Sequence, residues 1–208
     1  MRLGIYGGSF DPIHIGHLWV AEAALESLGL SEIRWIPAAT SPLKRAGTVA
    51  SNEDRLQMIR LAVSGCPQHV IDDREIRRGD VSYTVDTVAE IQQELPEAEI
   101  VMIIGSDSLA LLPQWHQPKR LLDMVTPAVV QRGGARPVDL SVLNELVASD
   151  RIDLFRRHVI EMPVIELSSS ELRARVATGK SIRFRVPRAV EAFIEAQSLY
   201  RSANDASS

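Results

Sequence analysis

Residues 2–29 read RLGIYGGSFDPIHIGHLWVAEAALESLG, and this stretch decides the fold. Its first five letters have the β-branched and aromatic content of a short strand. Two glycines follow, then a loop holding Pro12 and His14. Beyond them Leu18, Ala21, Leu25 and Leu28 recur at helical spacing, and Gly29 is placed to close the helix in the left-handed conformation. One strand, one loop and one helix are complete within the stretch. His14 and His17 stand three apart, so a helix that starts between them turns both toward one ligand.

The same alternation continues along the chain. EIRWIPA (32–38) reads as a second strand, and Ser51 or Asn52 caps a helix whose apolar members are Leu56, Ile59, Leu61 and Val63. HVIDDREI (69–76) has the pattern of a third strand. SYTVDTVAEIQQEL (82–95) opens with hydroxyl residues and ends before Pro96, as a helix does, and EIVMIIG (99–105) is apolar enough for a central strand covered on both faces. PAVVQR (127–132) supplies another strand, DLSVLNELVAS (139–149) a helix, and HVIEMPVIEL (158–167) a last extended segment. Two short helices follow, SSSELRARVATG and VPRAVEAFIEAQ. The expected fold is α/β, a Rossmann-like parallel sheet with helices on both faces.

Composition limits the functions open to the chain. Its 208 residues suit a single domain, expected over 1–200, with residues 201–208 a frayed tail. A net charge of −4 argues against a nucleic-acid partner, since a polyanion needs a basic face. The one cysteine, Cys66, excludes an internal disulfide and reads as a small buried apolar residue in a reducing compartment. MRLGIYGG lacks a signal peptide's apolar stretch, and IVMII (100–104) is too short to cross a bilayer. The expected setting is the cytoplasm, with no membrane.

Ligands of such sheets bind beyond the carboxyl ends of the strands, so the loops after strands hold the candidate site. In 7–17, Gly7 and Gly8 let the backbone approach a ligand, the following helix offers free amides to an anion, and His14 and His17 add donors whose near-neutral pKa follows phosphate charge. In IIGSDSL (103–109), Gly105 ends a buried strand, and Asp107 either caps the next helix or accepts bonds from ribose hydroxyls. Trp115, in LPQWHQP, either stacks on a ring or packs in the core. LSSSELRARV (167–176) sets Arg173 one turn below Ser170; it is a serine cap with a solvent-facing arginine, or a grip on a polyphosphate. Lys44 in SPLK is a solvated lysine or a phosphate contact.

Together GGSFDPIHIGH, GSDSL, SYTVDT, LPQWH and SSSELR resemble the bacterial nicotinate-nucleotide adenylyltransferases, in that family's order and over residues 2–200. The histidine motif alone marks only the wider nucleotidyltransferase superfamily, which includes the pantetheine-phosphate enzymes and is related to the HIGH-type tRNA synthetases. A synthetase is disfavoured, because the chain has no room for its further domains and no KMSKS-like loop. SSSELR is similar to the family's ISSTxIR, with Leu167, Ser170 and Leu172 replacing Ile, Thr and Ile.

The resemblance implies transfer of the adenylyl group of ATP to nicotinate mononucleotide, with Mg²⁺ carried mainly by the triphosphate. It implies that His14, His17 and Arg173 are catalytic. Gly7, Gly8, Ser9, Phe10, Gly105, Asp107, Ser168, Ser169 and Ser170 would meet ATP. Thr84, Trp115 and His116 would meet the acceptor, as would Lys44 and Arg132 at its phosphate. The rival readings are a sister enzyme for nicotinamide mononucleotide or pantetheine phosphate, and a nucleotide sensor without turnover. Monomer and homodimer are both open.

Overall fold

The computed structural model describes residues 1–40, 47–132 and 137–201, the side chain of Arg132 excepted. Strands β1 (Arg2–Gly8), β2 (Glu32–Pro37), β3 (His69–Ile71), β4 (Glu99–Gly105), β5 (Thr126–Arg132) and β6 (Val159–Met162) form one parallel sheet in the order β3-β2-β1-β4-β5-β6. Parallel neighbours need crossover connections, which here are largely helical. The helices are α1 (Ile15–Leu28), α2 (Asn52–Ala62), α3 (Arg74–Arg78), α4 (Thr84–Glu94), α5 (Ser106–Leu111), α6 (Pro118–Met124), α7 (Ser149–Arg156), α8 (Ser169–Ala177) and α9 (Arg188–Ala196).

The two-residue period of the strands sorts the core into two layers. Along β4, Val101 and Ile103 join the cluster under α1, α2, α8 and α9, while Ile100, Met102 and Ile104 join the cluster under α4 to α7. In β1, Leu3 and Ile5 take the second side. Gly4 faces the first, where a Cβ would come 2.8 Å from Leu30 Cδ1 and 3.0 Å from Ile33 Cγ1. β1 pairs with β2 on one edge and β4 on the other, so the chain leaves it in opposite directions and a crevice opens beyond Gly8 and Gly105.

Local chemistry sets the ends of the elements. Gly29 closes α1 at φ 58, its N–H bonded to the Leu25 carbonyl, and the Ser51 hydroxyl caps α2 by accepting the Asp54 N–H at 3.1 Å. No helix among the described residues is long and apolar enough to cross a membrane.

Three segments depart from the sequence reading. The strand expected over 69–76 stops at Ile71, because the Asp72 carboxylate takes both the Arg74 N–H (3.2 Å) and its Nε (2.8 Å) and turns the chain into α3. Over 139–149 a single 3-10 turn, Leu140–Leu143, replaces the helix. Its two buried leucines, three apart, suit that tighter winding, and the α-helix starts only at Ser149. The last extended segment pairs only to Met162, since Pro163 has no N–H for the ladder. Cys66, expected to be buried, is exposed.

Gly4→Ala should lower stability by about 1–3 kcal/mol, the cost of overpacking a filled core. Urea unfolding measures it, and an unchanged midpoint would show that Leu30 and Ile33 yield freely.

Candidate active site

β1 delivers the chain into the crevice, and the loop after it is folded tightly. Phe10 takes φ 47, in the left-handed region, and its ring turns back under Gly8. A Cβ on Gly8 would sit 2.9 Å from Phe10 Cζ. Gly8 therefore makes room for a side chain, whereas exposed Gly7, with only one atom near its absent Cβ, leaves its backbone open to a ligand. Phe10, expected against a nucleotide, is in fact core: 2% exposed, edge-on to Tyr6, Trp35 and His17 at centroid distances of 5.5, 5.3 and 5.2 Å. Its ring backs His17.

The two histidines sit on the first turn of α1. His14 occupies the cap position, and its backbone N–H donates to His17 Nδ1 at 3.2 Å. A neutral His17 then carries its proton on Nε2, as a donor. The rings stack at 3.7 Å with 22° between planes. Gly16 permits this, because a Cβ there would lie 3.1 Å from both Cε1 and Nδ1 of His14. Burial lowers the His14 pKa to about 4, so His14 is neutral at pH 7 and not near its titration point as the sequence reading had it. Its Nδ1 is buried with no partner among the described residues.

α8 brings the serines and Arg173 to the same loop. The Ser168 hydroxyl caps α8 by accepting the Glu171 N–H at 3.2 Å and lies 3.1 Å from the Ser170 hydroxyl. The Ser169 hydroxyl donates to the Pro12 carbonyl at 2.9 Å, and Arg173 Nη1 to the Asp11 carbonyl at 2.6 Å. Ser168 is thus a cap, and Ser169 ties α8 to the histidine loop. Arg173 is not a solvent-facing arginine; its side chain is 29% exposed and held against residue 11.

Across the crevice, Gly105 is exposed, with nothing within 4 Å of an added Cβ. Asp107 lies exposed in the first turn of α5, whose cap residue, Gly105, gives no side-chain bond. On the other flank, the Ser82 N–H donates to the Thr40 carbonyl at 3.3 Å, joining the exit of β2 to the segment before α4. Thr84 is the first residue of α4. The Tyr83 and His116 rings pack at a tilt of 34° with centroids 4.3 Å apart, which brings Thr84 and the Trp115 loop to one wall. Trp115 is half-buried against the second core layer, its Nε1 enclosed and unpartnered among the described residues. Arg132 ends β5 at the rim. Lys44 lies outside the described residues.

Sequence reasoning missed three buried polar residues. Arg55, 0% exposed, donates to the Ser9 and Ala38 carbonyls at 2.6 and 2.7 Å and to Asn52 Oδ1 at 2.6 Å. A signal existed: Arg55 lies on the apolar stripe with Met58 and Ile59, where a charge must have partners. Asp11, 3% exposed, accepts the Val49 and Ala50 N–H groups at 2.8 and 3.1 Å and the Tyr200 hydroxyl at 2.7 Å. Nothing local in the sequence pairs residue 11 with residue 200.

A parallel sheet whose order reverses at β1, with a histidine pair opening the first helix there, defines a nucleotidyltransferase architecture. A family model described as Cytidylyltransferase-like matches residues 5–175. Relatives named "Probable nicotinate-nucleotide adenylyltransferase" include that of Rhodopirellula baltica, 52% identical over 96% of this chain and 93% of its own. Those of Roseiflexus castenholzii (43%, covering 96% and 98%) and Thermomicrobium roseum (40%, covering 97% and 92%) carry the same name. In fold, the chain is similar to the Plasmodium falciparum nicotinic acid mononucleotide adenylyltransferase complexed with NaAD, with TM-score 0.75, 19% identity, and 96% and 97% of the two chains covered. The chain belongs to the cytidylyltransferase-like family and, within it, to the nicotinate-nucleotide adenylyltransferases.

The burial of His14 predicts an acid limb of stability. The unfolded chain binds the proton at about 6.5 and the folded chain only at about 4, so acid between those values favours the unfolded chain. The His14 contribution should fall by up to about 1.4 kcal/mol per pH unit in that window and stay constant above it. His14→Gln should flatten the stability profile between pH 6.5 and 4 in denaturant unfolding; an unaltered slope would contradict the assignment.

Proposed function

We propose that the protein transfers the adenylyl group of ATP to nicotinate mononucleotide, giving nicotinate adenine dinucleotide and pyrophosphate. One observation carries the reading: the stacked His14 and His17 at the sheet's switch point, with Arg173 held against the same loop. The acceptor is inferred from the names of the relatives. A phosphate oxygen of the mononucleotide attacks the α-phosphorus of ATP, and the bond to the β-phosphate breaks with its electron pair leaving on pyrophosphate. The nucleophile is already an anion at neutral pH, so the residues need only align it and meet the charge that develops.

In this reading His17 Nε2–H donates to the reacting phosphate, with His14 stacked behind it. The guanidinium of Arg173 takes the departing phosphates through donors beyond the one spent on Asp11. Gly7 and Ser9 lie along the nucleotides, Ser170 and the first amides of α8 face the polyphosphate, and Gly105 with Asp107 receives the adenosine half. Asp107, exposed in the first turn of α5, is suited to the ribose hydroxyls. By the family resemblance, we assign Mg²⁺ mainly to the triphosphate, where it would screen charge.

The acceptor wall is Thr84, Trp115 and His116, with Arg132 at the rim and Lys44 assigned from sequence alone. An indole face holds a flat pyridine ring, while a hydroxyl and backbone amides suit the two acceptor oxygens of a carboxylate. A carboxamide turns its NH₂ toward those donors and leaves one or more unpaired, at about 1–3 kcal/mol each. We place the enzyme in the cytoplasm, as one domain, monomeric or homodimeric, acting on free nucleotides.

Pyrophosphate release measured with nicotinate mononucleotide, nicotinamide mononucleotide and pantetheine phosphate tests the assignment. The acid should be preferred over its amide by about one to two decades. Equal or better use of either other acceptor would overturn it. His17→Ala should lower kcat by about 10²–10³, as expected for losing one preorganised donor, and a normal kcat would remove His17 from the mechanism. Trp115→Ala should raise KM for the mononucleotide far more than KM for ATP; the reverse pattern would move Trp115 out of the acceptor pocket.

A further inference from the structure

Beneath the histidine loop the Asp11 side chain gathers groups from distant parts of the chain. Its Oδ1 accepts the Tyr200 hydroxyl at 2.7 Å and the Ala50 N–H at 3.1 Å; its Oδ2 accepts the Val49 N–H at 2.8 Å. Arg173 Nη1 lies 3.6 Å from Oδ2 while donating to the carbonyl of the same residue at 2.6 Å. A guanidinium beside a buried carboxylate would ordinarily close onto it as a two-pronged pair. Here the ion pair stays one-sided, with Nη1 3.6 Å from Oδ2, while the Ala50 and Tyr200 donors on Oδ1 and the Val49 N–H on Oδ2 hold the carboxylate's orientation.

Tyr200 reaches this place from beyond the end of α9. It adopts φ 63, a backbone conformation that residues with a Cβ seldom take, and its side chain is buried. Burial and the Asp11 carboxylate both hold its hydroxyl far above the ordinary phenol range, so it remains a donor at any working pH.

We propose that Tyr200 is a positioning residue for adenylyl transfer: by fixing the orientation of the Asp11 carboxylate through Oδ1, its hydroxyl keeps Arg173 on the Asp11 carbonyl, with the rest of the guanidinium turned to the phosphates. The inference rests on the reading of Arg173 as the phosphate grip. Without the hydroxyl, Oδ1 has one partner fewer, the carboxylate turns to the guanidinium, and Arg173 is drawn off the substrate.

The experiment is a double-mutant cycle on the full chain with Tyr200→Phe, Arg173→Lys and the pair, assayed by pyrophosphate release well below each variant's thermal midpoint. Tyr200→Phe should lower kcat by about tenfold, the size of one hydrogen bond to a charged group. In the Arg173→Lys background, which has lost the planar fork, the same change should cost less than about twofold, since what it positions is already gone. An equal loss in both backgrounds would overturn the proposal, as would an unchanged kcat with only a lowered thermal midpoint, the mark of a structural role. If Arg173→Lys alone is fully active, the phosphate-grip reading itself has failed. If Arg173→Lys is impaired and Tyr200→Phe is silent, only the positioning role has failed.

Discussion

A guanidinium taken out of solvent needs acceptors, and Arg55 finds them in the Ser9 and Ala38 carbonyls and Asn52 Oδ1, its Nε alone having no partner among the described residues. Ser9 leaves β1 and Ala38 leaves β2, and both are held by the same side chain. Burial lowers its pKa, and the nearby Asp11 charge pulls it back up. One buried cation thereby stitches together the exits of neighbouring strands, the places from which the substrate loops depart. The tight turn over Phe10, the stacked histidines and the reach of α8 all rest on a floor that this pairing keeps in register.

On that floor His14 adds no charge to the site at neutral pH. His14 is neutral, stacked and enclosed; His17 is oriented by the backbone N–H of its neighbour. Preorganised neutral donors cost no reorganisation when charge grows on a phosphate, whereas a solvated cation would first have to shed water. Gly16 serves that arrangement by leaving space for an imidazole, just as Gly8 leaves space for a phenyl ring. The space beside Gly8, read from sequence as a ligand-approach position, is filled by the Phe10 ring, while Gly7 and Gly105 are exposed.

The fold was legible in the sequence wherever local periodicity and burial agree. β1, α1, β4 and the Ser51 cap each follow from a short window. The reading failed where side-chain chemistry overrode the pattern: Asp72 bonding Arg74 ends a strand that its β-branched residues would extend, and Pro163 ends another. Within the candidate site, the histidine loop and α8 were visible as local elements, because paired glycines before a helix start and clustered hydroxyls at another each mark a short window. The burial of the Phe10 ring could not be read from its residue type, and Asp11 and Tyr200 were missed because their meaning lies in contacts across long stretches of chain, whereas Arg55 did show locally as a charge on an apolar stripe.

The contact between Asp11 and Tyr200 also orders events in time. Synthesis runs from the amino end, and β1, α1 and β2 can come together while most of the chain is still unmade. The crevice they border cannot be finished then, since one ligand of its buried carboxylate belongs to a residue translated 189 positions later. Contacts of such sequence separation form late in folding, after the closure entropy of everything between has been met. The histidine loop is therefore made long before the hydroxyl that its buried aspartate accepts.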